Sequence, residues 1–488
     1  MVSRTLDIAN PRRFYIGGEW VDPASDASFD VIDCGTEEVA GTVAGADLHD
    51  VNRAVAAARE AFDNGFWPRL THAERAGYLR AFATELQRRN DELARTWSIE
   101  SGVTHSLSQA AVGHYVAGGF NSYADIGSTF PFEETHASSA GRRSLLVREP
   151  VGVVAAVIPW NGPAIMIAYK CAPAFLAGCT VVLKAPIEAP SSAYILAEVC
   201  ETIGLPAGVF NFITADRDVS EELVRHPGID KVSFTGSTAA GRRVASICGD
   251  RIARVTLELG GKSPAVVMDD YDIESAAKSI AGTFQFLSGQ VCDSLTRVIV
   301  PRQRHGQMVD ALSGIAAELK VGDAFDADVV VGPLAMARQR DRVEAYIARG
   351  QAEGATLAFG GRRPDHLSRG FYIEPTIFGN VSNNSAIAQE EIFGPVLSVI
   401  PADSENHAIE LANDTIFGLN AAIFTNDSDR FLRAARQIRS GSVGQNRSGA
   451  DFSLGAGGFK QSGLGREGGV EGLMPFLETK AIVLDQPC

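Results

Sequence analysis

A single cysteine stands in a setting that suits nucleophilic chemistry. Cys292 lies in FLSGQVCDS (286–294), after Gly289 and a helical stretch and beside Gln290 and Asp293. A cysteine becomes a thiolate nucleophile when it is accessible and a base or a dipole lies nearby. The alternative interpretation is a small buried apolar residue, which is the usual one for an isolated cysteine.

Two further residues have types and positions that suit catalysis. Glu258 belongs to the six-residue run RVTLEL (254–259), which otherwise has the pattern of a buried strand and ends just before Gly260 and Gly261. A carboxyl group in apolar surroundings has a raised pKa, which suits a general base. A carboxylate held in a structural ion pair is an equally good interpretation of Glu258. Asn161 follows the strand-like run VGVVAAVIP (151–159). Its amide can stabilise an oxyanion, whereas the common interpretation is a turn residue.

The segment FTGSTAAG (234–241) predicts an anion site. It closes a strand-like run and opens a helix, with Gly236 at the turn and Ser237 at the helix start. Backbone N–H groups and the dipole at a helix N-terminus favour phosphate. The segment matches neither the Walker pattern nor G-x-G-x-x-G, so the signal is weak by itself.

These residues sit in a regular alternation of predicted elements. Between 151 and 259, strand-like runs alternate with helical ones, which predicts parallel βαβ units in a doubly wound sheet. Ligands of such sheets bind at the carboxyl ends of the strands. A second alternation runs from 261 to 361, and the glycine-dense stretch 441–472 predicts loops that approach a ligand or another backbone closely. The region before 151 predicts a short β-hairpin at FYIGGEWVDP and helices over 50–62, 71–99 and 109–124.

Composition excludes several classes of protein. The 488 residues are 45% hydrophobic and 21% charged, as in ordinary globular proteins. The 44 Lys and Arg against 59 Asp and Glu give a net charge of −15, which argues against binding nucleic acid or an anionic membrane surface. A local helix-terminal site still permits an anionic cofactor.

The cysteine pattern and the apolar runs predict a cytoplasmic location. No apolar run approaches the roughly 20 residues that cross a bilayer, and the start of the chain has no secretory apolar region. The cysteine spacing fits neither a zinc site nor a disulfide framework, which favours a reducing compartment. All cysteines except Cys292 are interpreted as buried apolar residues: Cys34, Cys171, Cys179, Cys200, Cys248 and Cys488.

Five motifs occur together and in order: PWN, FTGST, LELGGKSP, GQVC and EEIFGPV (390–396). With them the chain resembles the NAD(P)-dependent aldehyde dehydrogenase superfamily, from IGGEW near its start to SGLGRE (462–467). The resemblance implies an α/β fold with two doubly wound parallel-sheet domains, a small β oligomerisation element, and a homodimer or homotetramer. The implied divisions are a cofactor-binding domain (1–125 and 148–258), a catalytic domain (259–450), the oligomerisation element (126–147 and 472–488) and glycine-rich loops near the active site (451–471).

The resemblance also implies roles for individual residues. Cys292 is the expected nucleophile, Glu258 the base that activates water, and Asn161 an oxyanion donor together with the backbone N–H of Cys292. Lys170 and Glu467 are expected to support proton movement, and no metal is implied. NAD, or NADP in its place, is expected to contact Trp160, Lys184, Glu188, Gly236, Ser237, Gly241, Leu259, Glu391 and Phe393.

Within the cofactor set, the resemblance assigns separate parts of the dinucleotide. Lys184 matches the lysine that contacts the adenosine ribose, and Ser237 the serine beside the pyrophosphate. Glu391 and Phe393 match the residues that hold the nicotinamide ribose and ring.

Three departures from the family pattern bear on specificity. In KAPIE (184–188), Ile187 occupies the position where the family usually has a carboxylate, and Glu188 follows one residue later. The preference between NAD and NADP is therefore left open. The stretch Thr214-Ala215-Asp216 lacks a glycine that is common there. Gly162 and Ala456 stand where many relatives carry aromatic rings, which predicts a bulky apolar substrate, aromatic or terpenoid.

The expected reaction is oxidation of an aldehyde to its carboxylic acid through a cysteine thiohemiacetal and thioester. A semialdehyde or coenzyme A-acylating dehydrogenase is the enzymatic alternative, and the presence of Glu258 favours water as acyl acceptor. A catalytically silent structural protein is the alternative from another class. The presence of Cys292, Glu258 and Asn161 together argues against it.

Overall fold

The computed structural model describes residues 4–139 and 141–487. The expectations for the first three residues, for residue 140 and for Cys488 lie outside the described residues. The three helical stretches predicted before residue 125 are confirmed, although 71–99 is divided at Arg89 and the third is longer and contains a π-helical segment, Val112–Ala117. The elements of this part are β1 (Phe14–Ile16), β2 (Glu19–Val21), β3 (Ser28–Asp33), β4 (Glu38–Ala44), α1 (Leu48–Asp63), α2 (His72–Arg88), α3 (Asn90–Ser101), α4 (His105–Ala111) and α5 (Gly118–Thr129).

The next part of the chain alternates strands and helices, as predicted. Two of its four described helices begin at side-chain caps: Asp216 accepts the backbone N–H of Val219, and Ser237 that of Ala240. Its elements are β5 (Glu133–Ala137), β6 (Arg142–Pro150), β7 (Val153–Val157), α6 (Pro163–Ala177), β8 (Thr180–Ala185), α7 (Ser191–Thr202), β9 (Phe210–Thr214), α8 (Arg217–Arg225), β10 (Lys231–Thr235), α9 (Thr238–Asp250) and β11 (Arg254–Glu258).

The second alternation continues well past residue 361, where the sequence-based prediction ends. The elements are β12 (Ser263–Val267), α10 (Ile273–Gln285), β13 (Leu295–Pro301), α11 (His305–Glu318), α12 (Ala337–Ala352), β14 (Thr356–Phe359), β15 (Thr376–Gly379), α13 (Ala386–Gln389), β16 (Val396–Ala402), α14 (Glu405–Asn413), β17 (Ala422–Phe424), α15 (Ser428–Ala435), β18 (Gly444–Gln445), β19 (Gly463–Leu464), α16 (Gly469–Leu473) and β20 (Leu477–Pro487).

The first large sheet has eight strands in the order β19-β11-β10-β7-β8-β9-β1-β2. Its five central strands are parallel, and their residues are almost all buried because helices cover both faces. The hairpin of β1 and β2 adds antiparallel strands at one edge, and β19 adds one at the other. The direction of winding reverses at β7, since β8 and β9 lie on one side and β10 on the other. Ligand crevices form at such a reversal, and the segments that follow β7 and β10 hold Asn161 and Ser237.

The second large sheet has seven strands in the order β14-β15-β16-β13-β12-β17-β18. All its neighbouring pairs are parallel except β14 with β15. The fold is therefore α/β with two parallel-sheet units, as expected. The order reverses at β12, which lies between β13 and β17.

A separate three-stranded antiparallel sheet, β20-β6-β5, joins the end of the chain to the segment before β7. Its strands cover 133–137, 142–150 and 477–487, close to the two segments expected to form the oligomerisation element. A two-stranded sheet of β3 and β4 completes the fold.

Candidate active site

A cavity of about 660 Å³ lies between the two large sheets. The carboxyl ends of β7, β10 and β11 supply one wall, and the turns that precede β12, β13, β16 and β17 supply the other. Its volume is that of a site for a small organic ligand. Most of the predicted site residues line it: Trp160, Asn161, Gly236, Ser237, Glu258, Leu259, Cys292, Glu391, Phe393 and Glu467.

Cys292 is held in a short turn between α10 and β13. A left-handed turn at Leu287 and Ser288 reverses the chain before the cysteine. Gly289 continues this turn at φ +73°, and a Cβ there would lie 2.5 Å from the carbonyl oxygen of Gly394, so no larger residue fits. Among the described cysteines, Cys292 alone is partly exposed, and the other five are buried as predicted.

The surroundings of Cys292 disfavour the thiolate form of its side chain. Burial raises the pKa of the Cys292 thiol well above its ordinary value, and the charges of Asp293, Glu391 and Glu258 raise it further. A thiol in this state must give up its proton, to a neighbouring base or to water, as it attacks.

Glu258 ends β11 with its carboxyl group at the cavity. Its Oε1 atom is buried and has no hydrogen-bond partner among the described residues. A Cβ at Gly457 would lie 2.7 Å from Oε1, so the glycine-rich loop can pass the carboxyl group only as glycine. Burial, followed by the charge of Glu467, raises the pKa of Glu258 well above the ordinary carboxyl range, against the lowering effect of Lys170. The group is therefore a carboxyl that accepts protons at higher pH than an exposed one.

Asn161 reaches the cysteine turn from β7. Its side-chain Nδ2 donates to the carbonyl oxygen of Gln290 at 2.9 Å, two residues before Cys292. Its own carbonyl oxygen accepts the indole N–H of Trp97 at 2.7 Å. The hydrogen bond from Trp97 thus fixes the Asn161 backbone, and the Asn161 side-chain amide lies beside the turn that holds Cys292.

Behind the cavity wall lies a buried ion pair. The Lys170 Nζ atom is 2.5 Å from Glu467 Oε1, and the two side chains are 0% and 3% exposed. Lys170 also donates to the Ser233 hydroxyl at 3.2 Å. Lys170 does not itself line the cavity, but Glu467 does, so the pair connects the cavity with the interior of the first sheet.

The N-terminus of α9 forms the opposite end of the cavity. Gly236 and Ser237 line it there, together with Thr235, whose hydroxyl oxygen is buried without a partner among the described residues. Gly241 lies one turn into the helix and outside the cavity. A Cβ at Gly241 would come within 2.5 Å of both Leu259 methyl carbons, so this glycine lets Leu259 pack against the helix.

Glu391 and Phe393 lie in the turn before β16. Glu391 Oε1 accepts the backbone N–H of Gly261 at 3.1 Å, and burial raises the pKa of Glu391 to about 7. Phe393 has φ +63° and meets the Trp160 ring edge to face, with ring centroids 5.3 Å apart. Both side chains therefore line the wall between the cysteine and α9.

Besides Gly241, two predicted cofactor residues lie outside the cavity. Lys184 is near the carboxyl end of β8, and burial lowers its pKa to about 8. Glu188 forms an ion pair with Arg338 at the start of α12. The charge of Glu188 is thus already partnered by a cation from the other unit.

The far end of the cavity is mainly aromatic and apolar. Phe452 stacks on Tyr169 with ring centroids 4.3 Å apart and meets the edge of Tyr115. Ala456 also lines this cavity. A Cβ at Gly162 would lie 4.0 Å from the Trp97 ring, so Trp97 occupies part of the space that a ring at position 162 would fill.

The comparisons with known proteins agree with this geometry. The model of the aldehyde dehydrogenase family matches residues 20–482. This chain belongs to the aldehyde dehydrogenase family.

Several members of the family are similar over nearly their whole length. Geranial dehydrogenase from Castellaniella defragrans is 40% identical, with 97% of this chain and 98% of that protein covered. The crystal structure of a Mycobacterium tuberculosis aldehyde dehydrogenase complexed with NAD+ is 40% identical, covers 98% and 99% of the two chains, and superposes with a TM-score of 0.95. A mutant of aldehyde dehydrogenase C from Pseudomonas syringae, complexed with NAD+ and octanal, is 38% identical, covers 98% of each chain and has a TM-score of 0.94. Within the described part of this aldehyde dehydrogenase, no helix is long and apolar enough to cross a membrane.

Sequence reasoning missed two residues on the cavity wall of this aldehyde dehydrogenase. Gln339 donates to the carbonyl oxygen of Phe393 at 2.6 Å, and Arg342 donates to that of Glu391 at 2.6 Å. Both lie in the first two turns of α12 and fix the turn before β16. Their spacing of three residues places them on one face of the helix. Polar residues at this spacing are equally typical of a helix face exposed to water, so the sequence alone does not indicate that they line a cavity.

Proposed function

We propose that this protein oxidises an aldehyde to its carboxylic acid, with NAD+ as hydride acceptor and a thioester on Cys292 as intermediate. One observation carries the proposal. The Cys292 thiol, the Glu258 carboxyl group and the Asn161 amide line the same cavity, whose other end is the N-terminus of α9. A nucleophile, a base with a raised pKa and an oxyanion donor are the groups that acyl chemistry at a thiol requires.

In the proposed reaction, the S–H bond of Cys292 breaks, its proton passes to water, and the sulfur bonds to the aldehyde carbon as the carbonyl oxygen becomes an oxyanion. The oxyanion that forms is stabilised by the Asn161 amide and the backbone N–H of Cys292. Bound NAD+ supplies a hydride acceptor, and loss of hydride from the carbon leaves a thioester. Glu258 then removes a proton from water, the hydroxide oxygen bonds to the thioester carbon, and the carbon–sulfur bond breaks. The products are the acid and the regenerated Cys292 thiol.

The residues present fit a dinucleotide. The N-terminus of α9 and the partnerless Thr235 hydroxyl suit a pyrophosphate, and Ser237 lies beside them. Glu391 offers carboxylate oxygens to ribose hydroxyls, and Phe393 gives a ring face at the cysteine end. The two similar structures named above contain NAD+ by their descriptions, which supports NAD+ in this chain.

Lys170 and Glu467 are proposed as the route by which protons leave Glu258. Glu467 lines the same cavity as Glu258, and its carboxylate contacts the Lys170 ammonium. The negative charge of Glu467 raises the pKa of Glu258, and the positive charge of Lys170 lowers it. The basicity of Glu258 therefore depends on the charge state of this pair.

We propose a bulky apolar aldehyde, aromatic or terpenoid, as the substrate. Phe452 and Tyr115 supply ring surface at the far end, and Ala456 and Gly162 place no ring there. The descriptions of two relatives name geranial and octanal, which are large and apolar. The cavity volume is compatible with molecules of that size together with the nicotinamide end of a cofactor.

The three-stranded sheet is proposed as the oligomerisation element. β20 is an edge strand of 11 residues, and an edge of that length presents unpaired backbone groups to a second chain. Its Val483 side chain is 61% exposed. The same proposal includes the domain divisions given above. It also includes a cytoplasmic location, because the partly exposed Cys292 thiol must stay reduced to act as a nucleophile.

A cofactor-reduction assay tests the proposed function. Octanal and NAD+ should give NADH with the wild type, and Cys292→Ala should abolish it while NAD+ binding persists. Cys248→Ala, which changes a buried cysteine in α9, should keep the activity and serves as the control. Turnover by Cys292→Ala above about a thousandth of wild type would reject Cys292 as nucleophile.

A further inference from the structure

Asp293 is a second carboxylate next to the nucleophile, and the proposed chemistry gives it no role. Asp293 is one of the residues that line the cavity, and it forms no ion pair within the described residues. Burial raises the pKa of Asp293 above its ordinary value, and only a contact with its own backbone N–H opposes this. A carboxylate in this position carries an electrostatic cost that no cation in the described part of the chain relieves.

The neighbours of Asp293 place it at the aldehyde end. Burial raises the pKa of the Tyr115 hydroxyl, and the negative charge of Asp293 raises it further, more than that of Asp451 does. Its carbonyl oxygen accepts the Asn420 amide at 2.9 Å, and Asn420 donates also to the Ser448 hydroxyl at 2.9 Å. Asp293 thus shares a wall with the aromatic end of the cavity, away from α9.

The fixed charges of the cavity are unbalanced. Its described lining includes four carboxyl groups and one cation, Arg342. Arg342 contacts the carbonyl oxygen of Glu391 and so lies on the cofactor side. Glu467 forms an ion pair with Lys170, whereas no ion pair among residues 4–139 and 141–487 involves Asp293. A negative group on the substrate would meet Asp293 without a compensating charge.

We propose that Asp293 selects substrates by charge: it disfavours aldehydes that carry a carboxylate at their far end and favours those that carry an ammonium group. The inference rests on the proposed function, because it concerns the aldehyde that Cys292 attacks. Charges interact more strongly in a cavity that is partly shielded from water than in bulk solvent. The ring of Tyr115 adds to the preference, since aromatic faces attract cations. Uncharged aldehydes fall between the two, so bulky apolar substrates remain acceptable.

The test uses aldehydes of one shape and three charges. The set is 4-carboxybenzaldehyde, its neutral amide 4-formylbenzamide, and 4-(trimethylammonio)benzaldehyde, compared by kcat/KM at one pH. Succinic semialdehyde and its amide repeat the comparison with the charge nearer the reacting carbon. In the wild type we expect the amide to exceed the carboxylate by at least tenfold and the ammonium compound to exceed the amide.

Asp293→Asn removes the charge and keeps the shape. We expect it to reduce the amide-to-carboxylate ratio at least tenfold, and Asp293→Ser gives the same comparison if the asparagine variant does not fold. The control is Asp451→Asn, an exposed carboxylate in the loop beside Tyr115, which should change the ratio less than twofold. Because each ratio is taken on one preparation, the amount of active enzyme cancels.

The outcomes separate this inference from the proposed function. A wild-type ratio near one, a ratio unchanged in Asp293→Asn, or an equal effect of Asp451→Asn would overturn the role of Asp293 while turnover of the amide still supports aldehyde oxidation. No turnover of any aldehyde by the wild type would overturn both.

Discussion

Ala456 gives a quantitative test of the open aldehyde end of the cavity. If the tail of the substrate enters an apolar cavity, each buried methylene contributes about 0.8 kcal/mol, or about fourfold in kcat/KM. Octanal has six methylenes more than acetaldehyde, so complete burial would give about 5 kcal/mol, or about three-thousandfold. The cavity is partly open to solvent and also serves the cofactor, so we expect a preference for octanal of about a hundredfold, below this limit.

Ala456→Phe places a ring in the same cavity. The ring takes up the volume that the end of a long tail would occupy, whereas acetaldehyde needs none of it. The octanal-to-acetaldehyde ratio of kcat/KM should therefore fall at least tenfold, measured by NADH formation across straight-chain aldehydes of two to eight carbons. Leu454→Phe is the control, because Leu454 belongs to the same loop but is 75% exposed and outside the cavity. A wild type that prefers acetaldehyde, or a ratio that Ala456→Phe leaves unchanged, would refute the reasoning.

Three other variants or conditions test the remaining parts of the site. Asn161→Ala should lower kcat about 100- to 1000-fold, since loss of one oxyanion donor costs about 2.7–4 kcal/mol, and NAD+ affinity measured by titration should not change. The wild type should have a higher kcat/KM with NAD than with NADP. Arg338→Ala should increase this preference, because Glu188 without its ion-pair partner repels the 2′-phosphate of NADP. A kcat/KM with NADP tenfold above that with NAD would contradict this. If hydrolysis limits the steady-state rate, that rate should fall as the pH drops through the raised pKa of Glu258, because the protonated carboxyl group cannot act as a base. A rate that is independent of pH between pH 5 and about 9 would exclude Glu258 as the base.

Much of the fold followed from local pattern. The βαβ alternation between 151 and 259 is readable because parallel strands covered on both faces are continuous apolar runs, and the intervening helices are bounded by recognisable caps and glycines. Between 362 and 440 no elements were assigned, and the structure has several strands and helices there. β17, for example, is only three residues long, and its place in the sheet is determined by pairing with β12 and β18. Such strands are specified by tertiary contacts more than by their own residues.

The candidate site shows the same division. Cys292, Glu258 and Asn161 could be singled out by residue type, by position near strand ends and by motif. The cavity in which they meet could not be predicted. Ligands of a single parallel sheet are expected at the carboxyl ends of its strands. Here the second sheet lines the cavity with the turns at the amino ends of its strands. The Glu188–Arg338 ion pair joins residues 150 positions apart, so no local signal could reveal it.

The most direct test of the central claim is the mass of the Glu258→Gln enzyme after exposure to octanal and NAD+. Acylation and hydride loss need Cys292 and Asn161, whereas release of the acid needs the base, so this variant should stop at the thioester. We predict one equivalent of NADH per active site, then a stall. The intact protein should gain the mass of octanal less two hydrogen atoms, and peptide mapping should locate the gain on Cys292. A variant that binds NAD+ but shows neither burst nor adduct, or an adduct on another residue, would contradict the account.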